Sequence, residues 1–131
     1  MGRYAFFNTG FEYKFWFGTQ PSEDILEFYG DFDKDSYDNQ SGQYIISWEA
    51  SLDKDRIRKR LDKMTVKHSG LPVVGWTNFP AHLDGTYSLR DYVTTNTTGI
   101  IDAKVHAKYV LGCLIYHQLT YKEELECDFE G

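Results

Sequence analysis

Aromatic residues at every second position over residues 11–17 constrain this chain more than any other feature. Phe11, Tyr13, Phe15 and Phe17 alternate with Glu12, Lys14 and Trp16, and Tyr4, Phe6 and Phe7 precede them. Side chains two apart on an extended strand share a face, so the spacing predicts a strand whose core face is almost wholly aromatic. Asn8, Thr9 and Gly10 interrupt the pattern with residue types that tolerate positive φ, which predicts a hairpin over residues 3–17.

At 131 residues the chain fits one domain, 1–131, able to bury on the order of two-thirds of its unfolded surface. Aromatics make up 17% of it and only three residues are Pro, a balance that favours a packed core over disorder. No apolar run approaches the roughly 18 residues a membrane helix requires, and MGRYAFF lacks the apolar stretch of a signal peptide. The expectation is a soluble intracellular protein with no membrane contact. Cys113 and Cys127 are the only cysteines, one in an apolar helical pattern and the other in an alternating strand pattern; buried free thiols are expected, with a disulfide between them left open.

Further along, Ser22 followed by Glu23 and Asp24 reads as a helix start that runs through Ile25, Leu26, Phe28 and Tyr29 to Gly30. Residues 31–43 are polar and turn-rich and read as a surface loop, and residues 44–50, YIISWEA, as a central strand. Ser51 is expected to cap a helix to about His68, with Ile57, Leu61, Met64 and His68 on its core stripe. Between Gly70 and Thr98 the signals are weak: a short strand near LPVVGWTNF, a helical turn over 88–92, then an exposed loop. A long helix follows from about Ile100 to Leu119, apolar nearly all round at YVLGCLIY and so packed on more than one side. Leu125, Cys127 and Phe129 then alternate with Glu124, Glu126, Asp128 and Glu130, which reads as a terminal edge strand whose like charges discourage further pairing. The elements lack a regular βαβ rhythm. They imply an α+β fold, a mostly antiparallel sheet of four to five strands with two main helices packed on one face.

Three constellations could carry chemistry. Residues 51–68 hold seven cations against three acids, a net of +4 in a chain whose total is −6, which leaves −10 elsewhere. Wheel arithmetic gathers Arg56, Lys59, Arg60, Lys63 and Lys67 in one arc beside the apolar stripe, with Asp55 and Asp62 on the other flank. Such segregation suits an acidic partner or phosphate, although the acidic total opposes nonspecific nucleic-acid binding at long range. A solvated helix face is the plainer account of the same arc. On the last helix, His106, Cys113 and His117 fall within about 40° of arc, with Asp102 starting the stripe and Lys104 and Lys108 on the wet side. Two imidazoles and a thiol could hold zinc or pair a thiolate with a histidine. His106 lies about 10 Å further along the axis, however, so further ligands would have to come from His68, His82, Cys127 or a carboxylate. An ordinary core thiol with hydrogen-bonded histidines is the plainer account here too. Asp31, Asp33 and Asp35 open like a calcium loop, but Ser36 and Gly42 stand where that loop needs Gly and Glu. No phosphate loop, dinucleotide fingerprint, nucleophile elbow or HExxH motif is present, which lowers the case for an enzyme.

Gly2-Arg3-Tyr4-Ala5, Phe7-Asn8-Thr9-Gly10 with Phe11-Glu12-Tyr13-Lys14-Phe15, and Ser22-Glu23-Asp24-Ile25 together resemble the opening of small uncharacterised proteins of large DNA viruses, the marseillevirus type among them. The resemblance covers the first 25 residues and carries over no catalytic or binding residue. It implies a viral setting, in the virion or the host cytoplasm. The reading that follows is a non-enzymatic viral protein without a cofactor. It self-associates as a homo-oligomer such as a homodimer, or binds an acidic protein partner or nucleic acid through the basic helix. The alternative is a small enzyme or metal-binding protein using His106, Cys113 and His117.

Overall fold

The computed structural model describes residues 3–29, 37–40, 43–51, 54–74, 86–120 and 124–130. The fold is α+β. Strands β1 (Tyr4–Phe7), β2 (Glu12–Lys14), β3 (Tyr37–Gln40), β4 (Gln43–Ser51) and β5 (Glu124–Glu130) combine with helices α1 (Asp24–Tyr29), α2 (Lys54–Lys67), α3 (Thr86–Asn96) and α4 (Ala103–Gln118).

The aromatic ribbon forms the hairpin its spacing predicts. Tyr4 pairs with Lys14, Ala5 with Tyr13 and Phe6 with Glu12. The connection is the three residues Asn8, Thr9 and Gly10. Gly10, at φ 86°, supplies the left-handed residue that closes such a loop, its N–H donating to the Phe7 carbonyl at 2.9 Å. Ala5, Phe7, Phe11, Tyr13 and Phe15 are buried, whereas Phe17 is 87% exposed. The predicted aromatic face therefore ends two residues early. The strand stops at Lys14 and the chain turns through Trp16–Gln20, where the Thr19 and Gln20 N–H groups donate to the Trp16 carbonyl, so period-2 alternation no longer applies.

β2, β1 and β5 make an antiparallel sheet, and the backbone ladder continues through β4 to β3 in the order β2-β1-β5-β4-β3. Two expectations are corrected here. β5 lies between β1 and β4 rather than at an edge: alternation of apolar and acidic residues is a pattern that interior antiparallel strands share with edges. The polar stretch 31–43 contains β3, which pairs with β4 from Tyr37↔Ile46 to Gln40↔Gln43, so ladder pairing overrode a composition typical of turns. Ser51 ends β4 and does not cap α2, which begins at Lys54.

The buried face of the sheet presents Ala5, Phe7, Tyr13, Leu125 and Cys127 to the helices. α4 is the hub. Every residue from Tyr109 to Leu119 is buried, and α1, α2 and α3 all pack against it. Gly112 lets α1 and α2 approach: a Cβ there would lie 2.5 Å from Phe28 Cε1 and 2.6 Å from Leu61 Cδ2. Asp102 begins the helix as its N-cap, accepting from the Lys104 N–H at 2.8 Å, and is exposed rather than part of a buried stripe. α3 spans eleven residues where only a helical turn was predicted. It is anchored by Leu89 and Val93, both fully buried, a pair spaced i, i+4 that is too short a pattern to announce a helix from sequence.

Two buried amides fasten the hairpin to α4. Gln20 accepts from the Tyr13 hydroxyl at 2.7 Å and donates to the Ala107 carbonyl at 3.2 Å, while its own carbonyl accepts from Arg3 at 2.6 Å. At the other end the Thr9 hydroxyl donates to Gln118 Oε1 at 2.5 Å. Neither glutamine gave a sequence signal, because glutamine has no local motif that marks it for burial. Among the described residues no helix is long and apolar enough to cross a membrane.

Candidate functional site

The five cations of the α2 arc, Arg56, Lys59, Arg60, Lys63 and Lys67, are all exposed. α2 is held by Ile57 and Leu61, at 2% and 0% exposure, with Met64 and His68 half-buried beside them. A helix anchored along one stripe leaves the rest of its circumference to water, and the cations stand in the arc beside that stripe. Val66, 85% exposed, shares that arc, seven residues from Lys59 and three from Lys63.

Beside the arc, α1, α2 and α4 enclose an open groove of about 820 Å³. Its apolar floor is Phe28, Met64 and Val105, and Arg60, Lys63 and Lys67 stand on the α2 wall. The facing wall carries Glu27 of α1 and Glu23, the residue before it begins. Lys108 reaches in from α4, and here the expected wet lysine is corrected: it is half-buried, 3.0 Å from Glu27 Oε2 and 3.9 Å from Asp24 Oδ1. Asp24 is 6% exposed, and burial raises its carboxyl above the usual carboxylate range against the opposing pull of Lys108. The groove thus mixes signs, with its cations concentrated on α2.

His106, Cys113 and His117 are spread along α4, and His106 and Cys113 bond to different neighbours. The His106 ring lies edge-on to Trp16 with centroids 5.3 Å apart, and its Nε2 is 3.2 Å from Thr97 Oγ1. Since the Thr97 hydroxyl proton goes to the Val93 carbonyl at 2.7 Å, the hydroxyl accepts here, which places the His106 proton on Nε2. Burial, aided by the Arg90 guanidinium, lowers the His106 pKa and favours the neutral ring. The Cys113 thiol is wholly buried, hydrogen-bonds with Tyr109, and is pushed strongly upward in pKa by burial. That holds it as a thiol, whereas nucleophilic attack and metal ligation both use the thiolate. His117 is 2% exposed, with Nδ1 3.4 Å from Gln118 Nε2. Cys113 and Cys127 are both buried, and neither is in a disulfide. Among the described residues no three His, Cys, Asp or Glu side chains are grouped to hold a metal ion. Asp31, Asp33, Asp35 and His82 lie outside the described residues.

Compared with protein-family models, with curated proteins and with solved structures, the chain matches none.

Proposed function

We propose that this protein is a non-enzymatic binding module whose α2 face engages an acidic protein surface. In the setting that the N-terminal resemblance implies, it would act as a viral protein carried in the virion or the host cytoplasm. One observation carries the reading: five exposed cations occupy a single arc of α2, three of them on the wall of a groove with an apolar floor. A face of that kind gains steering and register from its charges, and affinity from the apolar surface they surround. The chain total of −6 and the acids Glu23 and Glu27 on the groove wall favour a protein partner of mixed surface over a uniform polyanion such as nucleic acid.

The test is retention on immobilised poly-glutamate at low salt, with heparin and DNA columns alongside. Wild type should be retained on poly-glutamate in spite of its net negative charge, and should elute as salt screens the contact. The triple variant Lys59→Glu, Arg60→Glu, Lys63→Glu should flow through with an unchanged circular dichroism spectrum, because all three side chains are exposed. Wild type that flows through poly-glutamate at low salt would refute the reading.

A further inference from the structure

The surface that complements the α2 groove is present on this same chain. On the side of the hairpin away from the core, Phe6 is 40% exposed and stacks with Tyr4, their rings 6.1 Å apart and inclined by 23°. Phe6 has Glu12 as its register partner on one side and Asp128 on the other, both exposed. Lys14, the register partner of Tyr4, holds its ammonium 5.9 Å from the Tyr4 ring. Along β5, Glu124, Glu126 and Glu130 occupy the same alternation as Asp128, and the ladder sets Glu126 opposite Glu49 of β4. Glu12 and Asp128 set an exposed carboxylate on either side of Phe6, so a cationic surface complements this face.

We infer that the α2 groove of one molecule takes the outer sheet face of a second copy, centred on Phe6, in a head-to-tail contact. The inference rests on the reading of α2 as the binding face and names its partner. The match is made sign by sign. Arg60, Lys63 and Lys67 on the groove wall meet carboxylates of the Glu12 and Asp128 kind, and Glu23 meets Lys14. Phe6 and Tyr4 supply the aromatic anchor for the floor of Phe28, Met64 and Val105, the arrangement of apolar centre and charged rim found in specific interfaces.

Symmetry follows from which surfaces touch. Each molecule offers one basic and one acidic surface, and both are exposed: the cations of the α2 arc stand beside the Ile57 and Leu61 stripe, and the Phe6 face lies opposite Ala5 and Phe7. Two unlike patches make a heterologous contact, which extends into a chain or closes into a ring and does not stop at a twofold dimer. Each copy has a net charge of −6, so growth is opposed at very low salt by overall repulsion and at high salt by screening of the patches.

Sedimentation velocity on three proteins tests this. Wild type on the order of 100 µM, a weak-contact regime, should show a mean mass that rises with concentration past the dimer and falls to monomer at about 1 M salt. Two variants should each stay monomeric: the α2 triple reversal, and Phe6→Thr with Asp128→Lys. Mixed in equal amounts, the two should form a species of twice the monomer mass and nothing larger, because one retains only its sheet face and the other only its α2 face. A monomeric wild type that still binds poly-glutamate overturns this inference and leaves the α2 reading standing. A wild type that assembles while the mixed variants stay monomeric also overturns it, by placing the contact elsewhere. A wild type that neither assembles nor binds poly-glutamate removes both.

Discussion

Gly112→Ala should destabilise the protein although it replaces the poorest non-proline helix former with the best. In an exposed helix interior the change gains about 0.8–1 kcal/mol. At position 112 the new methyl would lie 2.5 Å from Phe28 Cε1, 2.6 Å from Phe28 Cζ and 2.6 Å from Leu61 Cδ2, separations that real Cβ atoms do not show. Both neighbours are core residues, at 4% and 0% exposure, and they come from different helices, so no single rotamer change relieves the clash. Overpacking of a dense core costs about 1–3 kcal/mol, and with two helices to displace the upper half of that range applies. The net is a loss of about 1–2 kcal/mol, which for a chain of this size lowers Tm by about 3–8 °C. Urea unfolding followed by circular dichroism measures it. Combining Gly112→Ala with Phe28→Leu should recover part of the loss, since the ring atoms that clash are gone, giving a coupling of about 0.5–1.5 kcal/mol. If Gly112→Ala instead stabilises by about 1 kcal/mol, propensity alone governs the site and the close approach of α1 and α2 to α4 is refuted.

Gly70→Ala should be more damaging still, because its Cβ would run into the backbone carbonyl oxygen of Thr98, a residue tied to the same glycine by its N–H, which donates to Gly70 O at 2.8 Å; thermal unfolding should show a larger loss than Gly112→Ala. Asp24 and His106 should give opposite pH signatures in stability. Burial raises the folded Asp24 pKa, so the native state binds more protons and stability falls as pH rises from about 3.9 through the raised value; Asp24→Asn should flatten that slope in urea titrations. The folded His106 pKa is lowered, so its contribution is complete above about 6.5 and is lost on acidification; His106→Gln should remove this loss, and an unchanged slope would refute the buried, neutral ring. Cys113→Ala should cost on the order of 1 kcal/mol through lost packing, and elemental analysis of tag-free protein should give the same metal content for wild type, Cys113→Ala and His117→Ala; near-stoichiometric zinc lost in both variants would return the metal reading.

Local patterns in the sequence carried the hairpin, the core stripe of α2 and the all-round burial of α4, since each rests on neighbours within about seven residues. Gly10 at φ 86°, the burial of Ile57 and Leu61, and the burial from Tyr109 to Leu119 are the structural counterparts. What stayed hidden depends on partners distant in the chain. β3 forms from the polar residues YDNQ because β4 lies alongside, and β5 is interior because β4 completes its second ladder. Gln20 and Gln118 are buried because α4 and Thr9 offer them bonds 87 and 109 residues away.

The same distinction divides the candidate site. Wheel arithmetic places Arg56, Lys59, Arg60, Lys63 and Lys67 in one arc because a helix is its own reference frame, and all five are exposed as that arc requires. The groove needs three helices at once: Phe28 arrives on α1, Val105 and Lys108 on α4, and only then do Met64 and the arginine and lysines of α2 become a wall with a floor. The α4 stripe fails in the converse way. Angular proximity put His106, Cys113 and His117 within a narrow sector, but an arc says nothing of axial distance or of what surrounds each group. His106 turns to Thr97 and Trp16, and Cys113 to Tyr109, so neighbours from other turns and other elements have already taken the bonding capacity that a shared ligand would need. A helical stripe of polar groups is therefore stronger evidence for function when it faces water, where no neighbour competes for it, than when it faces the core. That asymmetry is why the basic arc of α2, and not the histidine stripe of α4, carries the function proposed for this chain.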